Sequence, residues 1–322
     1  MILMVAEHAD GAPRKSALEL ASVGRELARQ VARPLAALVL GPEGEQAAGE
    51  VARYVPDVYH LDDSRLAPAR AATTARAVAQ AARELGADVV LLSASRTGVS
   101  CGPRIALRLG VAYLEDVTKL EFEGDALVAE RLTYLARFSA EVVASSGRAV
   151  VSVKPGSVPV ASLAEEPGAV HRREVTFEEP DTRLEVSAQE EASRGRVALE
   201  DAEVVVCGGR GFGSPDAFER HVVGLAELLG AGVGATRAVV DAGWRPYSEQ
   251  IGQTGKSVAP RLYLALAVSG AVQHLSGMNR SGIIVAVNKD ADAPIFKIAD
   301  YGIVGDVSEV VPALGEALGD RG

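Results

Sequence analysis

Residues 203–213 read EVVVCGGRGFG, and this stretch indicates the fold of the second half of the chain. The apolar run 204–207 has the length of a buried strand, and glycines crowd the positions directly after it. Apolar residues then recur at helical spacing over residues 217–229. A strand, a glycine-rich turn and a helix in this order are typical of the opening unit of a parallel α/β sheet.

The same alternation continues toward the C-terminus. Residues 232–236 lead to a predicted strand at 238–240, two more strands are predicted at 262–267 and 283–287, and residues 307–318 have helical periodicity. These elements predict a doubly wound, Rossmann-like domain.

The first half also alternates strands and helices, which predicts a parallel sheet covered on both faces. Predicted strands are residues 1–6, 35–40, 58–61 and 88–93, and predicted helices are residues 15–32, 43–51, 72–85 and 103–109. From residue 117 the segments are strand-like (120–122, 126–133, 140–145 and 149–153), and they predict an antiparallel addition to the sheet. A further alternating run covers residues 173–177. The charged stretch 190–196 predicts an exposed linker, so we place the domains at residues 1–196 and 197–322.

Composition excludes several classes of protein. The chain has 322 residues, is 48% hydrophobic and has a formal net charge of -10, which makes nonspecific nucleic-acid binding a poor fit. We expect no membrane insertion, because no apolar run approaches about 18 residues. Two cysteines cannot form a disulfide framework and the N-terminus does not resemble a targeting signal, so a cytoplasmic location is expected.

Two glycine-rich turns resemble phosphate-binding motifs, and both are incomplete. After Gly209 and Gly211, the third glycine of a dinucleotide fingerprint would fall on Ser214. Residues 255–257 (GKS) resemble the end of a P-loop, whose first glycine would fall on Gln250. Either turn alone is equally consistent with a simple tight turn. Small residues after strands nevertheless let backbone N–H groups approach an anionic phosphate.

Polar residues follow several of the predicted strands, at 236–237, 253–254, 269–274, 288 and 290. The carboxyl ends of parallel strands lie along one edge of a sheet, where ligands bind. An extended nucleotide cofactor explains this convergence better than a small metabolite does. Two other classes stay open at this point: a nucleotide-hydrolysing enzyme that uses residues 255–257, and a cofactor-free scaffold.

The C-terminal motifs resemble those of the α subunit of electron transfer flavoproteins. The resemblance is carried by LYLA (262–265), SGAVQH (269–274), Gly277 and VAVN (285–288), with GGRG (208–211), GATR (234–237), VDAG (240–243), GQTGK (252–256), APIF (293–296) and DYG (300–302) around them. It is close over residues 204–318. In the first domain it is looser, through Pro103, Arg104, Ala106, Leu109 and Asp116.

This resemblance implies a redox subunit without substrate turnover of its own. Such a subunit pairs with a β subunit, holds one FAD in its C-terminal domain, and leaves a structural AMP to the β subunit. Its first domain, of adenine-nucleotide-hydrolase-like fold, contacts the β subunit. It takes single electrons from flavin dehydrogenases, such as those of acyl-CoA substrates in fatty acid oxidation, and passes them to a membrane quinone oxidoreductase. An alternative within the family is an electron-bifurcating form with a second FAD in the β subunit. The linker implies that the FAD domain can swing between partners.

The resemblance also implies a role for each matching residue. The residues implied are Gly209, Arg210 and Gly211 near the phosphates and adenosine; Thr236 at the pyrophosphate; Arg237 over the isoalloxazine ring; Ile251, Gly252, Gln253 and Thr254 at the ring edge, with the Thr254 hydroxyl near N5; Ser269, Gly270, Ala271, Val272, Gln273 and His274 along the ribityl chain, with His274 near the C2 carbonyl; and Asn288, Asp306 and Val307 at the adenosine end.

The negative charge of a reduced flavin would explain why His274 and Arg237 lie close to it. A flavin that has taken up one electron and stays anionic carries charge near N1 and the C2 carbonyl, and a nearby cation stabilises it. Outside its motif, His274 is more simply interpreted as a structural histidine, and Arg237 as a surface arginine. We assign no role to the other histidines or to Cys101, expect Cys207 to be a small buried apolar residue, and expect Trp244 to pack beside the flavin loop.

Overall fold

The computed structural model describes residues 1–67, 70–134, 138–183 and 199–319, which cluster into two compact units, Met1–Gln189 and Glu190–Gly322. The predicted linker at residues 190–196 and the predicted domain boundary lie outside the described residues. Both units are mixed α/β, as predicted.

The first unit is built on a nine-stranded sheet. Its strands are β1 (Ile2–Ala6), β4 (Leu35–Leu40), β5 (Asp57–Leu61), β6 (Val89–Ser93), β7 (Ala112–Glu123), β8 (Ala126–Thr133), β9 (Phe138–Ala144), β10 (Ala149–Val153) and β11 (Ala169–Arg173), with a small hairpin of β2 (His8–Ala9) and β3 (Ala12–Pro13) beside it. The strand order is β11-β5-β4-β1-β6-β10-β7-β8-β9. The helices are α1 (Lys15–Val31), α2 (Gly44–Val51), α3 (Ala71–Glu84), α4 (Arg96–Leu109) and α5 (Glu179–Thr182).

Central strands of this sheet are apolar along their whole length because both of their faces are covered. All five residues of β1 and of β6 are buried. Helices α1 and α2 pack in one apolar core and α3 and α4 in another, so helices cover the sheet on both sides. The predicted parallel sheet is therefore confirmed.

The antiparallel addition is smaller than predicted. Strands β8 and β9 pair antiparallel at the edge, but β10 lies in the centre of the sheet, parallel to β6 and to the first part of β7. Residues 149–153 form a strand as predicted, but the predicted antiparallel pairing was wrong. It was inferred from their position after the hairpin strands, and the apolar composition of the segment was not taken into account. All five residues of β10 are buried, and a continuous buried run is typical of a central parallel strand.

Two further differences concern element ends. Helix α4 begins at Arg96 instead of residue 103, because the Ser95 hydroxyl accepts a hydrogen bond from the Gly98 amide and caps it. The alternating run at residues 173–177 does not form a strand beyond its first residue: β11 lies before it, ends at Arg173 and pairs in parallel with β5.

The second unit is a five-stranded, wholly parallel sheet. Its strands are β12 (Val204–Gly208), β13 (Gly232–Ala235), β14 (Leu262–Leu266), β15 (Ile283–Asn288) and β16 (Tyr301–Val304), in the order β13-β12-β14-β15-β16. The helices are α6 (Pro215–Phe218), α7 (Gly224–Leu229), α8 (Arg237–Asp241), α9 (Val272–Leu275) and α10 (Val307–Gly319), and a π-helical turn, Glu219–Val223, joins α6 to α7. Two apolar cores lie in this unit, which gives the predicted doubly wound architecture.

One segment of this unit is a helix where a strand was predicted. Residues 238–240 are helical and belong to α8, and they follow β13 directly. Valine favours a strand and alanine a helix, and a short apolar run does not distinguish the two. Strand β16 was not predicted, because its residues are exposed and it pairs with β15 alone.

Among the described residues, the structure has no helix that is both long and apolar enough to cross a membrane.

Candidate functional site

The edge of the second sheet carries a cleft where the strand order reverses. The chain leaves β12 toward β13 on one side and later returns to β14 on the other, so the connections diverge at the ends of β12 and β14. Such a switch point is the usual ligand site of an open parallel sheet. The cleft there has a volume of about 530 Å³, within the range of roughly 300–1,000 Å³ typical of ligand pockets.

Most of the residues implied by the resemblance line this one cleft. They are Gly209, Arg210, Gly211, Thr236, Arg237, Ile251, Gly252, Gln253, Thr254, Ser269, Ala271, Gln273 and His274. They come from the turns after β12, β13 and β14 and from residues 250–254, so the tertiary fold gathers segments that are far apart along the chain.

Five of the implied residues are not among those that line the cleft. Gly270 approaches the backbone of Ile295, Val272 is partly exposed on α9, and Val307 lies in an apolar core. Asp306 directly precedes α10, and its carboxylate accepts hydrogen bonds from Ser308 that hold its pKa below the ordinary value.

Asn288 is the fifth implied residue that does not line the cleft, and it contacts the backbone of a residue that does. Its side-chain amide donates to the carbonyl of Val268, 2.9 Å away, and Val268 lines the cleft. Asn288 therefore fixes the path of the loop after β14.

Sequence reasoning missed five lining residues: Ala238, Asp241, Gln250, Ala267 and Val268. Residues 238 and 241 were obscured by the strand prediction for 238–240. Residue 267 was placed inside a strand, whereas its φ of 55° turns the chain there. Gln250 was considered only as a failed P-loop position, although its place four residues before Thr254 could have indicated a shared turn.

The floor of the cleft is formed by a close approach of two chain segments. The Gly209 amide donates to the carbonyl of Leu266 at 2.8 Å, and a Cβ on Gly209 would lie 1.9 Å from the carbonyl oxygen of Ala267. A glycine is therefore required at position 209 for packing.

One wall of the cleft is a closed turn over residues 250–256. The Lys256 amide donates to the Gln250 carbonyl at 2.7 Å, and the Gln253 amide donates to the Gln273 carbonyl at 2.7 Å. The buried Gln250 side chain donates to the Thr254 hydroxyl oxygen at 3.0 Å. The Thr254 hydroxyl proton is thus available for another acceptor.

Lys256, the lysine of this turn, does not point a charge into the cleft. The Lys256 ammonium pairs with the Glu200 carboxylate at 2.7 Å, and Lys256 is not among the residues that line the cleft. A P-loop lysine must reach the phosphates of its nucleotide. This geometry disfavours the nucleotide-hydrolysing alternative.

His274 is buried, with 7% of its surface exposed, and both ring nitrogens have partners in the protein. Nδ1 lies 3.1 Å from the carbonyl oxygen of Ile251, and Nε2 lies 3.0 Å from the hydroxyl of Tyr263. A carbonyl only accepts, so Nδ1 carries the ring proton and Nε2 accepts from Tyr263.

Burial lowers the pKa of His274 to about 4, because the charged imidazolium would lose its hydration. His274 is therefore neutral at pH 7 in this structure. The positive charges of the cleft in this structure are Arg210 and Arg237, which are both exposed, and Arg237 pairs with Asp241 at 3.3 Å. The cationic role that the resemblance implies for His274 toward a bound flavin stays a prediction.

Cys207 matches its prediction as a buried apolar residue. It is fully buried in an apolar core, and burial raises the pKa of its thiol to about 12. A thiol that stays protonated at neutral pH is a poor nucleophile.

The segment that leads to the turn over residues 250–256 is anchored by Arg245. Its guanidinium makes two hydrogen bonds to Glu249, at 2.6 and 2.7 Å, and one to Glu219 at 2.6 Å, and it lies over the ring of Phe218. The side chains of Arg245 and Glu249 are 13% and 12% exposed, so this pair is shielded from water.

We expect Arg245→Ala to lower the free energy of unfolding by about 2 kcal/mol, because it leaves the shielded Glu249 carboxylate without its main cation. Urea unfolding measures the change. The matched control is Arg261→Ala, which removes an exposed pair with Glu203 and should change stability by less than about 0.5 kcal/mol. Equal losses in the two variants would contradict the anchoring role.

Comparison with known proteins gives a consistent result over both units. The family model "Electron transfer flavoprotein domain" matches residues 2–179, and "Electron transfer flavoprotein FAD-binding domain" matches residues 198–279. The chain is 37% identical to an electron transfer flavoprotein subunit alpha of Thermoanaerobacterium thermosaccharolyticum, over 98% of this chain and 97% of the relative. It is 38% identical to the corresponding subunit of Mycobacterium leprae (99% and 98% covered) and 34% identical to Protein FixB of Clostridium saccharobutylicum (97% and 94%).

Proposed function

The chain belongs to the α-subunit family of electron transfer flavoproteins, and on that premise we propose that it binds FAD in the cleft of its second unit and carries single electrons. The observation that supports this most directly is the cleft at the switch point of the second sheet, because it gathers cationic, amide and hydroxyl side chains from distant turns.

The donors in the cleft fit the phosphate part of FAD. Arg210 and Arg237 supply positive charge, and the Thr236 hydroxyl stands at the start of α8. Gly209 and Gly211 leave the backbone accessible because they carry no side chains. Charge-assisted hydrogen bonds of arginine to phosphate are stronger than neutral ones.

The opposite wall fits a flat heterocycle with acceptor edges. Gln253 and Thr254 offer an amide and a hydroxyl at the end of the closed turn over residues 250–256. Bound flavin would supply the redox chemistry, while the protein orients it and sets the charge around it. In our proposal Arg237 supplies a cation near the ring, and His274 lies at the inner wall.

We propose the remaining parts of the assignment on the family relation. The partner is a β subunit that holds a structural AMP and contacts the first domain. Electron donors are flavin dehydrogenases, including those of acyl-CoA substrates, and the acceptor is a membrane quinone oxidoreductase. The chain turns over no substrate alone.

The direct test is an absorbance spectrum of the complex with the β subunit, followed by stepwise reduction. We expect one FAD in the cleft of this chain, and uptake of electrons one at a time. A colourless complex that FAD cannot reconstitute would overturn the proposal.

We expect Arg237→Gln to weaken FAD binding by about 10- to 100-fold, the loss typical of a charge-assisted hydrogen bond. Its folding should change little, because Arg237 and Asp241 are 69% and 63% exposed and such pairs contribute little. Titration of the flavin-free complex with FAD gives the affinity, and Arg261→Ala is the matched control on an exposed arginine. Unchanged affinity in Arg237→Gln would exclude this arginine from the site.

A further inference from the structure

The turn over residues 250–256 fixes one hydroxyl group of the cleft through two contacts. Thr254 is exposed and lines the cleft, and the hydroxyl of Tyr247 donates to its backbone carbonyl. The Thr254 hydroxyl oxygen accepts from the side-chain amide of Gln250 at 3.0 Å. Within the described residues, that oxygen has no other hydrogen-bond partner in the protein. The proposed function uses Thr254 but gives no role to Gln250.

The Gln250 side chain has little freedom to choose another partner, because it is buried. Gln250 is 3% exposed, and it lines the cleft together with Thr254. A buried amide group that lost its hydrogen bond would cost free energy, so the contact with Thr254 is retained. A hydroxyl oxygen that accepts from an N–H group cannot donate its own proton to that group. The Thr254 proton therefore turns away from Gln250 and is offered to the cleft.

We propose that Gln250 is a positioning residue, which makes the Thr254 hydroxyl a fixed hydrogen-bond donor toward the occupant of the cleft. At this point the cleft then selects a ligand atom that accepts a hydrogen bond over one that carries a hydrogen. The identity of that atom rests on the proposed function. The resemblance implies that Thr254 lies near N5 of the flavin, and N5 of oxidised flavin is an acceptor.

The backbone of Gln250 holds the turn independently of its side chain. The Gln250 carbonyl accepts from the Lys256 amide at 2.7 Å, and the Gln250 amide donates to the Tyr247 carbonyl at 3.0 Å. A Cβ on Gly255 would lie 2.3 Å from the Gln250 carbonyl oxygen, so the turn is tightly closed. We therefore expect a substitution at position 250 to preserve the turn and to change the direction of the Thr254 hydroxyl.

The test compares two cofactors in the full chain, bound to its β subunit and freed of flavin. FAD and 5-deaza-FAD have the same shape, but the analogue carries a C–H group in place of N5 and accepts no hydrogen bond there. Titration with each oxidised cofactor gives a ratio of dissociation constants, in which effects on folding and on the shared parts of the cofactor cancel. We expect the wild type to bind FAD about tenfold more tightly than the analogue, as one hydrogen bond contributes.

Two substitutions at position 250 change the partner of the hydroxyl in different ways. Gln250→Leu removes the donor, which frees the Thr254 side chain to occupy three staggered rotamers, so the preference for FAD should fall about threefold. Gln250→Glu keeps the size of the side chain, and at pH 9 the carboxylate that it introduces only accepts hydrogen bonds. The Thr254 proton then turns to that carboxylate, and we expect the two cofactors to bind about equally.

The controls separate the direction of the hydroxyl from other effects of substitution. Thr254→Val removes the hydroxyl and should abolish the preference for FAD, whereas Thr254→Ser retains it and should preserve the preference. Arg237→Gln removes a charge elsewhere in the cleft. It should weaken both cofactors alike and leave the ratio unchanged.

Two outcomes overturn the inference while the proposed function stands: a wild type that binds both cofactors equally, or Gln250 variants that keep the wild-type ratio. The two substitutions at position 250 are independent, so either one decides the matter where the other fails to fold. A wild-type complex that binds neither cofactor would overturn the proposed function, and this inference with it.

Discussion

Gly209→Ala is expected to reduce FAD binding by about a hundredfold or more and to lower the stability of the second unit. The reason is steric: the added Cβ would lie 1.9 Å from the carbonyl oxygen of Ala267 and 3.1 Å from Cα of Val268. Both neighbours are backbone atoms, so the methyl group can fit only if the ends of β12 and β14 move apart. A displacement of about 1 Å in a preformed site is enough to cost a factor of about 100.

The matched control for this change is Gly224→Ala. Gly224 lies in the helical stretch behind the sheet, and a Cβ there would meet no other atom within 4 Å. We expect this variant to bind FAD normally and to gain up to about 1 kcal/mol of stability, since alanine favours helix more than glycine does. Bound flavin per complex and the urea midpoint measure both variants. Normal flavin content in Gly209→Ala would show that the cleft is not the binding site.

Acidification is expected to remove about 2 kcal/mol of stability between pH 7 and pH 5 through His274 alone. The folded state holds the pKa of this histidine at about 4, against its ordinary 6.5. Between these values the unfolded chain binds more protons than the folded one, so stability falls as the pH falls below 6.5. The loss is nearly absent above pH 7 and complete only below pH 4.

His274→Asn isolates this contribution, because asparagine does not titrate in this range and can still donate to the Ile251 carbonyl. The variant should be less stable than the wild type at pH 7, and the gap should narrow by about 2 kcal/mol at pH 5. Urea unfolding of the flavin-free complex at fixed protein concentration provides the comparison. A gap that stays constant with pH would mean that folding leaves the pKa of His274 unchanged.

The sequence predicted where the cleft lies better than it predicted the details of the fold. Glycine turns and polar residues after apolar strands indicated a ligand edge, and the resemblance assigned particular residues to it. Most of those residues line one cleft, because the carboxyl ends of parallel strands must meet at one edge. Val307 lies in an apolar core instead, because an apolar residue at the start of a helix is as easily a core residue.

The errors in the fold arose where local composition carried little information. Residues 149–153 follow a hairpin in the chain but pair in the centre of the sheet, a choice made by long-range packing. Residues 238–240 are a short apolar run that fits a strand or a helix equally well. They form a helix in the structure, where they directly follow β13.

The sequence by itself determined the alternation of strands and helices, the ligand edge and the family, because these depend on periodicity and on motifs that are contiguous in the chain. Only the tertiary structure decided the charge state of the site. The fold buries His274 among segments that are separate in the chain, and the loss of water around the ring lowers its pKa to about 4, although the contact with the Ile251 carbonyl acts in the opposite direction. Proton affinity depends on surroundings in space, which residue types alone do not specify.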